Sequence, residues 1–395
     1  MSCTGSDTKA NIKDGTKKIL FVASLGRNHI LKFHVPTIKA LADRGWIVDV
    51  ACAGKEPVPH VRNRYTMSWQ RSPFTAGTFK GIRELKKILA EEHYDVVYCH
   101  TPVGGLAARL AAGKTRKEGT KVIYCAHGLH FYKGAPVLNW AVYYPVEKWL
   151  ARKTDVLYMI NEEDYQTVKR RFHRDTDVRL IPGMGIDFER LDIQDREAAR
   201  RKVREELQIP EDAHAMIYAA DIVANKNQKM LVDTLEILRQ QGMDMYLILP
   251  GPECDGSACE RYAKARGVLA YCRFLGWRND IGELMCAADI CTASSIREGF
   301  GLSLVEAMYC GLPVVATDNR GHRMIIREGE NGFLVPVNDA HMMAERVKQL
   351  IKDPEFRRRL SAVDTDKYDS RKVAQRLAAE IEEITGREQQ WQFSD

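Results

Sequence analysis

The stretch Arg297-Glu298-Gly299-Phe300-Gly301-Leu302-Ser303-Leu304-Val305-Glu306 decides the fold. It follows an apolar run, Ala288–Ala293, with the look of a buried strand, and it opens a helical pattern, so the chain passes from strand to helix across two glycines. Glycine lets the backbone turn tightly and approach a ligand, and the first amides of the new helix point unpaired N–H groups outward. Such a turn suits a diphosphate. Glu298 and Glu306 would repel an anion but accept hydrogen bonds from sugar or ribose hydroxyls, and a nucleotide sugar has both ends. Ser303 and Glu306 also have the S-x-x-E spacing of a capping box, which accounts for Glu306 without any ligand. Both readings of Glu306 stay open, whereas Glu298 has no such structural explanation.

Outward from this turn, short β-rich runs alternate with amphipathic stretches of helical period, the pattern of parallel sheets covered by helices. Residues 17–23, 46–52, 95–99, 121–126 and 155–160 are the strands of a first half. Residues 215–220, 244–250, 272–276, 288–293 and 312–317 repeat the pattern. The expectation is an α/β chain of two doubly wound, Rossmann-like domains facing across a cleft, spanning 1–185 and 186–365, with 366–395 forming a helix that packs back on the first. Pro182-Gly183-Met184-Gly185 marks the boundary, before a charged helix that opens around Arg196. Phe79, Ile82, Leu85 and Leu89 stripe one predicted helix, and Leu231, Leu235 and Leu238 another. A further helix begins at Pro36 and stops before Gly45. The terminal helix carries Val373, Leu377, Ile381 and Ile384 on one face, with Ser370 as its expected N-cap. Residues 1–16 and 388–395 read as mobile ends.

Composition narrows the function. With 395 residues, 45% hydrophobic and 28% charged, the chain is neither disordered nor fibrous. No apolar run reaches the ~20 residues of a bilayer-spanning helix, and the first sixteen residues lack a secretory signal, so a cytoplasmic location is expected. Ten cysteines show no disulfide framework, and Cys254 and Cys259 find no partners for a zinc site, so buried thiols and no metal are expected. Residues 1–190 hold 31 Lys and Arg against 19 Asp and Glu, while the remainder holds 28 against 34. The basic front half favours anionic partners, and with no zinc finger or aromatic RNA-binding signature a nucleic acid is not expected. An NAD-dependent oxidoreductase is not expected, because neither first strand leads into G-x-G-x-x-G.

The Glu298-x7-Glu306 pair, the run Gly311-Leu312-Pro313-Val314-Val315-Ala316-Thr317, and Glu330-Asn331-Gly332-Phe333-Leu334-Val335 resemble glycosyltransferase family 4, retaining enzymes of the GT-B fold. Ala219-Ala220-Asp221-Ile222 with Asn225-Lys226-Asn227 is similar to the family's phosphate-binding strand and loop, and Phe274-Leu275-Gly276-Trp277-Arg278 to its base-contacting turn. His100-Thr101-Pro102-Val103-Gly104-Gly105 and Ala126-His127-Gly128-Leu129-His130-Phe131-Tyr132 resemble the branch that builds exopolysaccharide, capsule and undecaprenyl-linked glycans. The likeness covers about residues 17–385. It implies that Lys226 neutralises the leaving diphosphate, that Glu298 holds hydroxyls of the donor sugar and that Glu306 holds the ribose. Backbone amides of Leu302 and Ser303 after Gly301 would bind phosphate, Gly26 would close a glycine loop over the donor, and His127 would stand near the reacting sugar, with His100 beside it in the cleft. Two departures stand out. Asp221 occupies a position where many members carry arginine, with Arg278 or Arg297 as candidate compensation, and the usual glycine pair of the first loop is reduced to Gly26.

The resemblance thus implies a metal-independent retaining transferase without a resident cofactor, moving an N-acetylhexosamine or related hexose from a UDP-sugar to a polyprenyl-diphosphate-linked saccharide. Residues 135–153 combine aromatics with Lys148, Arg152 and Lys153, which suits either peripheral docking at the inner face of the plasma membrane or burial between the domains. A nucleotide-sugar epimerase and an inactive scaffold subunit remain alternatives on the same two-domain frame.

Overall fold

The computed structural model describes residues 15–70, 75–173, 176–254 and 256–386, so of the ends read as mobile only 15 and 16 fall within it. Two sheets, parallel in every pairing, organise the chain. The first contains β1 (Lys18–Leu25), β2 (Ile47–Ala53), β3 (Asn63–Thr66), β4 (Val96–His100), β5 (Lys121–Ala126), β6 (Val156–Met159) and β7 (Asp177–Leu180). Its order is β3-β2-β1-β4-β5-β6-β7. The second contains β8 (His214–Ile217), β9 (Met245–Pro250), β10 (Cys272–Gly276), β11 (Ile290–Ala293), β12 (Val314–Thr317) and β13 (Phe333–Val335), ordered β10-β9-β8-β11-β12-β13.

Strand β1 explains why these elements read so plainly. Ile19, Phe21 and Ala23 enter the core on one face of the sheet, Leu20 and Val22 the core on the other, and all five are fully buried. A strand covered on both faces is an unbroken apolar run. The edge strands β3, β7 and β13 escaped the sequence reading because they are short, and Asn-Arg-Tyr-Thr and Asp-Val-Arg-Leu carry polar residues in two of them. Phe79, assigned to a buried helix face, is instead 58% exposed, while Leu85 and Leu89 of the same helix are buried.

The terminal helix Ser370–Gly386 buries Val373, Leu377, Ile381 and Ile384 in the core beside β1, against helix Val35–Asp43. Its N-terminus is held by Asp369, whose Oδ1 accepts from the Arg371 and Lys372 amides at 2.8 and 3.3 Å; Ser370 is the first helical residue and not the cap. Gly185 has φ +82°, and a Cβ there would stand 2.4 Å from Ser370 Cα, so the crossing of these segments requires glycine. Helix Val35–Asp43 does not begin from a loop. A π-helix, Gly26–His34, leads into it from β1.

In both sheets the strand order reverses beside the first strand, between β1 and β4 and between β8 and β11. Ligands of doubly wound sheets sit outside the carboxyl ends of the strands at such reversals.

Candidate functional site

A cleft of about 570 Å³ opens where those strand ends face each other. Lys226, Arg278, Glu298, Gly301, Leu302, Ser303 and Glu306 line it, with Lys32 and Phe33 contributed by the first domain. Lys226 sits in the turn after β8, where its own amide donates to the Val223 carbonyl at 2.9 Å and its carbonyl accepts from Ser294 Oγ at 2.8 Å. Its Nζ lies 2.5 Å from Glu298 Oε1, which also accepts from Ser295 Oγ at 2.7 Å. Ser295 is fixed in turn by the buried Tyr218 hydroxyl at 2.6 Å. Glu298 is therefore aimed by two fixed neighbours and faces the cleft together with the ammonium.

Helix Leu302–Tyr309 begins at the cleft with Gly301 as its N-cap and no side chain capping it. Ser303 lies inside the first turn, so the capping box allowed by its spacing does not form, and Glu306 bonds to Arg190 Nη2 instead. Burial pushes the Glu306 carboxyl above the usual range, with Arg190 and Lys32 pulling it back. The first-turn amides of Leu302 and Ser303 have no partner within the helix and border the same space. A fixed ammonium, two acids and an open helix N-terminus thus surround one hollow, an arrangement able to hold a diphosphate at one end and hydroxyls at the other.

Three further sequence candidates lie elsewhere. Gly26 starts the π-helix in place of the expected loop, packed so closely that a Cβ would meet Cys52 Sγ at 3.2 Å, and it does not line the cleft. His127 stands behind the cleft wall, where burial lowers its pKa to about 4. Its carbonyl oxygen comes so near Gly299 that a Cβ on Gly299 would lie 2.2 Å away. His100 is fully buried and not in the cleft.

Two families match the chain: glycosyl transferases group 1 over residues 199–363 and glycosyl transferase 4-like over residues 18–161. A Bacillus subtilis (strain 168) protein named "Putative glycosyltransferase EpsD" is 41% identical over 93% of this chain and 95% of its own length. The chain belongs to the group 1 glycosyltransferases. An Escherichia coli relative named UDP-Gal:alpha-D-GlcNAc-diphosphoundecaprenol alpha-1,3-galactosyltransferase is 24% identical over 66% of this chain and 67% of its own length. Among solved structures, Anabaena Alr3699/HepE in complex with UDP superposes with a TM-score of 0.70 at 19% identity, covering 94% of this chain and 98% of that one. The transferase accordingly has the GT-B fold expected from its sequence.

Sequence reasoning missed several residues that shape this transferase's cleft. Arg190 reaches Glu306 from 116 residues away, and no local pattern marks it. Lys32 reaches the wall from the π-helix, a geometry no propensity announces. Arg320 follows β12 and spans the domains: Nη1 donates to Asp164 Oδ1 at 2.5 Å and Nη2 to the Leu129 carbonyl at 2.7 Å. Asp164 also accepts from the Leu129 amide and from Asn161 Nδ2, both at 2.9 Å, while Asn161 donates to the Gly299 carbonyl at 3.2 Å. A polar run directly after a strand near a reversal of strand order was the available signal for Arg320. Arg278 does line the cleft, but it is committed to Asp280 and Glu206 at 2.8 and 2.6 Å, which leaves little of its charge to offset Asp221. Arg297 is exposed and outside the cleft.

Proposed function

We propose that this transferase moves a hexose, an N-acetylhexosamine or a relative, from a UDP-sugar to a polyprenyl-diphosphate-linked saccharide during synthesis of a cell-surface polysaccharide, with retention of configuration. The observation that carries the reading is the convergence of Lys226, Glu298, Glu306 and the helix start at Leu302 on one cleft. The diphosphate lies against the Leu302 and Ser303 amides and Lys226, which oppose the charge that develops as the glycosyl–phosphate bond breaks. Glu298 orients sugar hydroxyls, Glu306 takes the ribose, and Trp277, 72% exposed at the cleft edge, offers a face to the nucleobase. The acceptor hydroxyl bonds to the anomeric carbon on the face the diphosphate leaves, and its proton passes to the departing phosphate oxygen. This route asks the protein for positioning and charge stabilisation, with no side-chain nucleophile and no resident cofactor. UDP in a structural neighbour and the diphosphoundecaprenol acceptor in the name of a relative support the choice of donor and acceptor.

Helix Val137–Ala151 supports a membrane-borne acceptor. Val137, Leu138, Val142, Tyr143, Val146 and Trp149 are exposed, at 84% and 70% for the first two. The inner side of the helix is fastened by Glu147 to the buried Arg109 at 2.8 Å. Lys148, Arg152 and Lys153 flank the apolar face, the composition of a helix that lies in an anionic bilayer surface. Among the described residues no helix is long and apolar enough to cross a membrane.

The test is incubation with a panel of UDP-sugars, with and without lipid-linked saccharide. UDP release that depends on acceptor and yields an α-linked product from an α-linked donor supports the proposal. Donor-only conversion to an epimer, or no turnover beside intact UDP binding, overturns it in favour of an epimerase or a binding subunit.

A further inference from the structure

Behind the cleft wall, four histidines from three elements meet in the core of the first domain. His29 and His34 come from the π-helix after β1, His100 from the end of β4, and His127 from just beyond β5. One ring nitrogen from each lies within 4.8 Å of every other. The rings of His34 and His100 are 3.8 Å apart between centroids, and those of His29 and His127 4.4 Å. His34 and His100 are fully buried, His29 is 9% exposed and His127 is partly buried, and both ring nitrogens of His34 and His100, with Nε2 of His29 and of His127, have no hydrogen-bond partner among the described residues.

A core with so many orphaned polar atoms in one place is unusual, since buried polar groups are nearly always paired. An isolated core histidine satisfies its nitrogens with a carbonyl or hydroxyl, but here the rings face one another and supply no complementary set. We propose that His29, His34, His100 and His127 bind a divalent transition-metal ion, with Zn²⁺ as the best match. Neutral imidazole is a preferred ligand of Zn²⁺, and four nitrogens complete its tetrahedral shell. Bonds of about 2.0–2.1 Å separate tetrahedral ligand atoms by roughly 3.4 Å, so nitrogens now within 4.8 Å of one another must close in while the His34 and His100 rings turn out of their close stack. Burial, which comes first, and mutual repulsion lower the pKa of His29, His34 and His100, and burial alone lowers that of His127, the direction that favours the neutral ring as a ligand. The ligands are up to 98 residues apart in sequence, which is why short-range spacing gives no hint of the site.

Such an ion would pin the π-helix to the ends of β4 and β5. That segment carries Lys32 and Phe33 into the cleft, so the metal is structural and outside the reaction, and it does not depend on the choice of donor or acceptor.

The experiment begins with the full chain purified without a polyhistidine tag and dialysed, its metal content read by mass spectrometry. One zinc per chain is expected, with a thermal midpoint that falls on chelation and recovers on adding Zn²⁺. Reloading with Co²⁺ should give the visible d–d absorption of a tetrahedral nitrogen site, and His100→Ala should lose both the zinc and that absorption. The Co²⁺ spectrum of the unaltered chain decides the matter even if H100A does not fold. Absence of bound metal together with no Co²⁺ absorption and an unchanged midpoint on chelation overturns the proposal. So does metal that H100A retains, which would mark an ion held elsewhere on the surface.

Discussion

The ion pair that bridges the domains allows a quantitative test of how the cleft is kept in shape. Arg320 and Asp164 have side chains 7% and 2% exposed, and the guanidinium also lies over the Tyr132 ring, 4.5 Å from its centroid. Arg320→Met keeps most of the volume and removes the charge, leaving Asp164 in an apolar setting. Breaking a buried pair from one side typically costs ~3–5 kcal/mol. The lower end applies here, because the Leu129 amide and Asn161 still donate to Asp164, and because burial already raises the Asp164 pKa, with Arg320 pulling it down, so the acid can protonate once the arginine is gone. A loss of ~3 kcal/mol is roughly a hundredfold in an opening equilibrium. Native-state hydrogen exchange at the Leu129 amide reads that equilibrium directly, since its acceptor is Asp164. Arg320→Met should speed its exchange about a hundredfold, and Asp164→Asn combined with Arg320→Met should recover at least ~1.5 kcal/mol relative to additivity. Leu129 protection unchanged in R320M, or a coupling below ~0.5 kcal/mol, would refute the idea that this pair latches the domains.

Lys226→Ala or Glu298→Ala should each lower turnover by at least ~100-fold, the scale of losing one transition-state contact, measured as UDP release under saturating donor. In the proposed ribose-binding role Glu306 would accept hydroxyls best when ionised, and its raised pKa moves protonation above the normal glutamate range of about 4.3. UDP affinity should therefore weaken as pH falls through that raised value, and Glu306→Gln should lack this component; identical profiles in a titration of both proteins would remove Glu306 from the ribose site. Asp221→Asn should tighten UDP binding by roughly two- to fivefold at low ionic strength and less in salt, by calorimetry, because an exposed charge at the cleft is removed. Leu138→Glu or Trp149→Glu should reduce partition onto anionic vesicles by about tenfold or more in a sedimentation assay, following the apolar area withdrawn from the bilayer.

Legibility in the sequence tracked burial and locality. The central strands were readable because both faces are covered, and the Leu231, Leu235 and Leu238 stripe because one face of the helix lies wholly in the core. Edge strands were not, since a Asp-Val-Arg-Leu strand half in solvent carries no apolar run. That Lys226, Glu298, Gly301 and Glu306 share one cleft was legible for the same reason of locality: the last three fall within nine residues, and Lys226 sits in a recognisable loop. What failed depended on contacts between distant segments. Gly301 rather than Ser303 starts the helix, so the spacing that suggested a capping box was coincidental, and Glu306 answers to Arg190 instead. Gly26 was assigned by its position after β1, but a π-helix carries the chain past the cleft and delivers Lys32 in its place.

The charge balance of the cleft shows why Asp221 need not disable it. Lys32, Arg190, Lys226 and Arg278 line the space with Asp187, Asp221, Glu298 and Glu306, so lysines and arginines equal acids in number, beside one histidine, His322, whose pKa burial lowers. A neutral cleft cannot attract a diphosphate by its overall field, and binding must come from directed contacts. Of the four lysines and arginines, Arg190 is tied to Glu306, Arg278 to Asp280 and Glu206, and Lys226 to Glu298, while Lys32 is exposed and forms no ion pair among the described residues. The ammonium of Lys226 uses one of its three donors on Glu298 and so keeps two for phosphate, whereas its acid partner fixes where it points. Under the proposed reaction, holding the lysine against an acid weakens ground-state attraction to the diphosphate but leaves a fixed cation where the leaving charge would grow, and only the difference between the two states accelerates transfer.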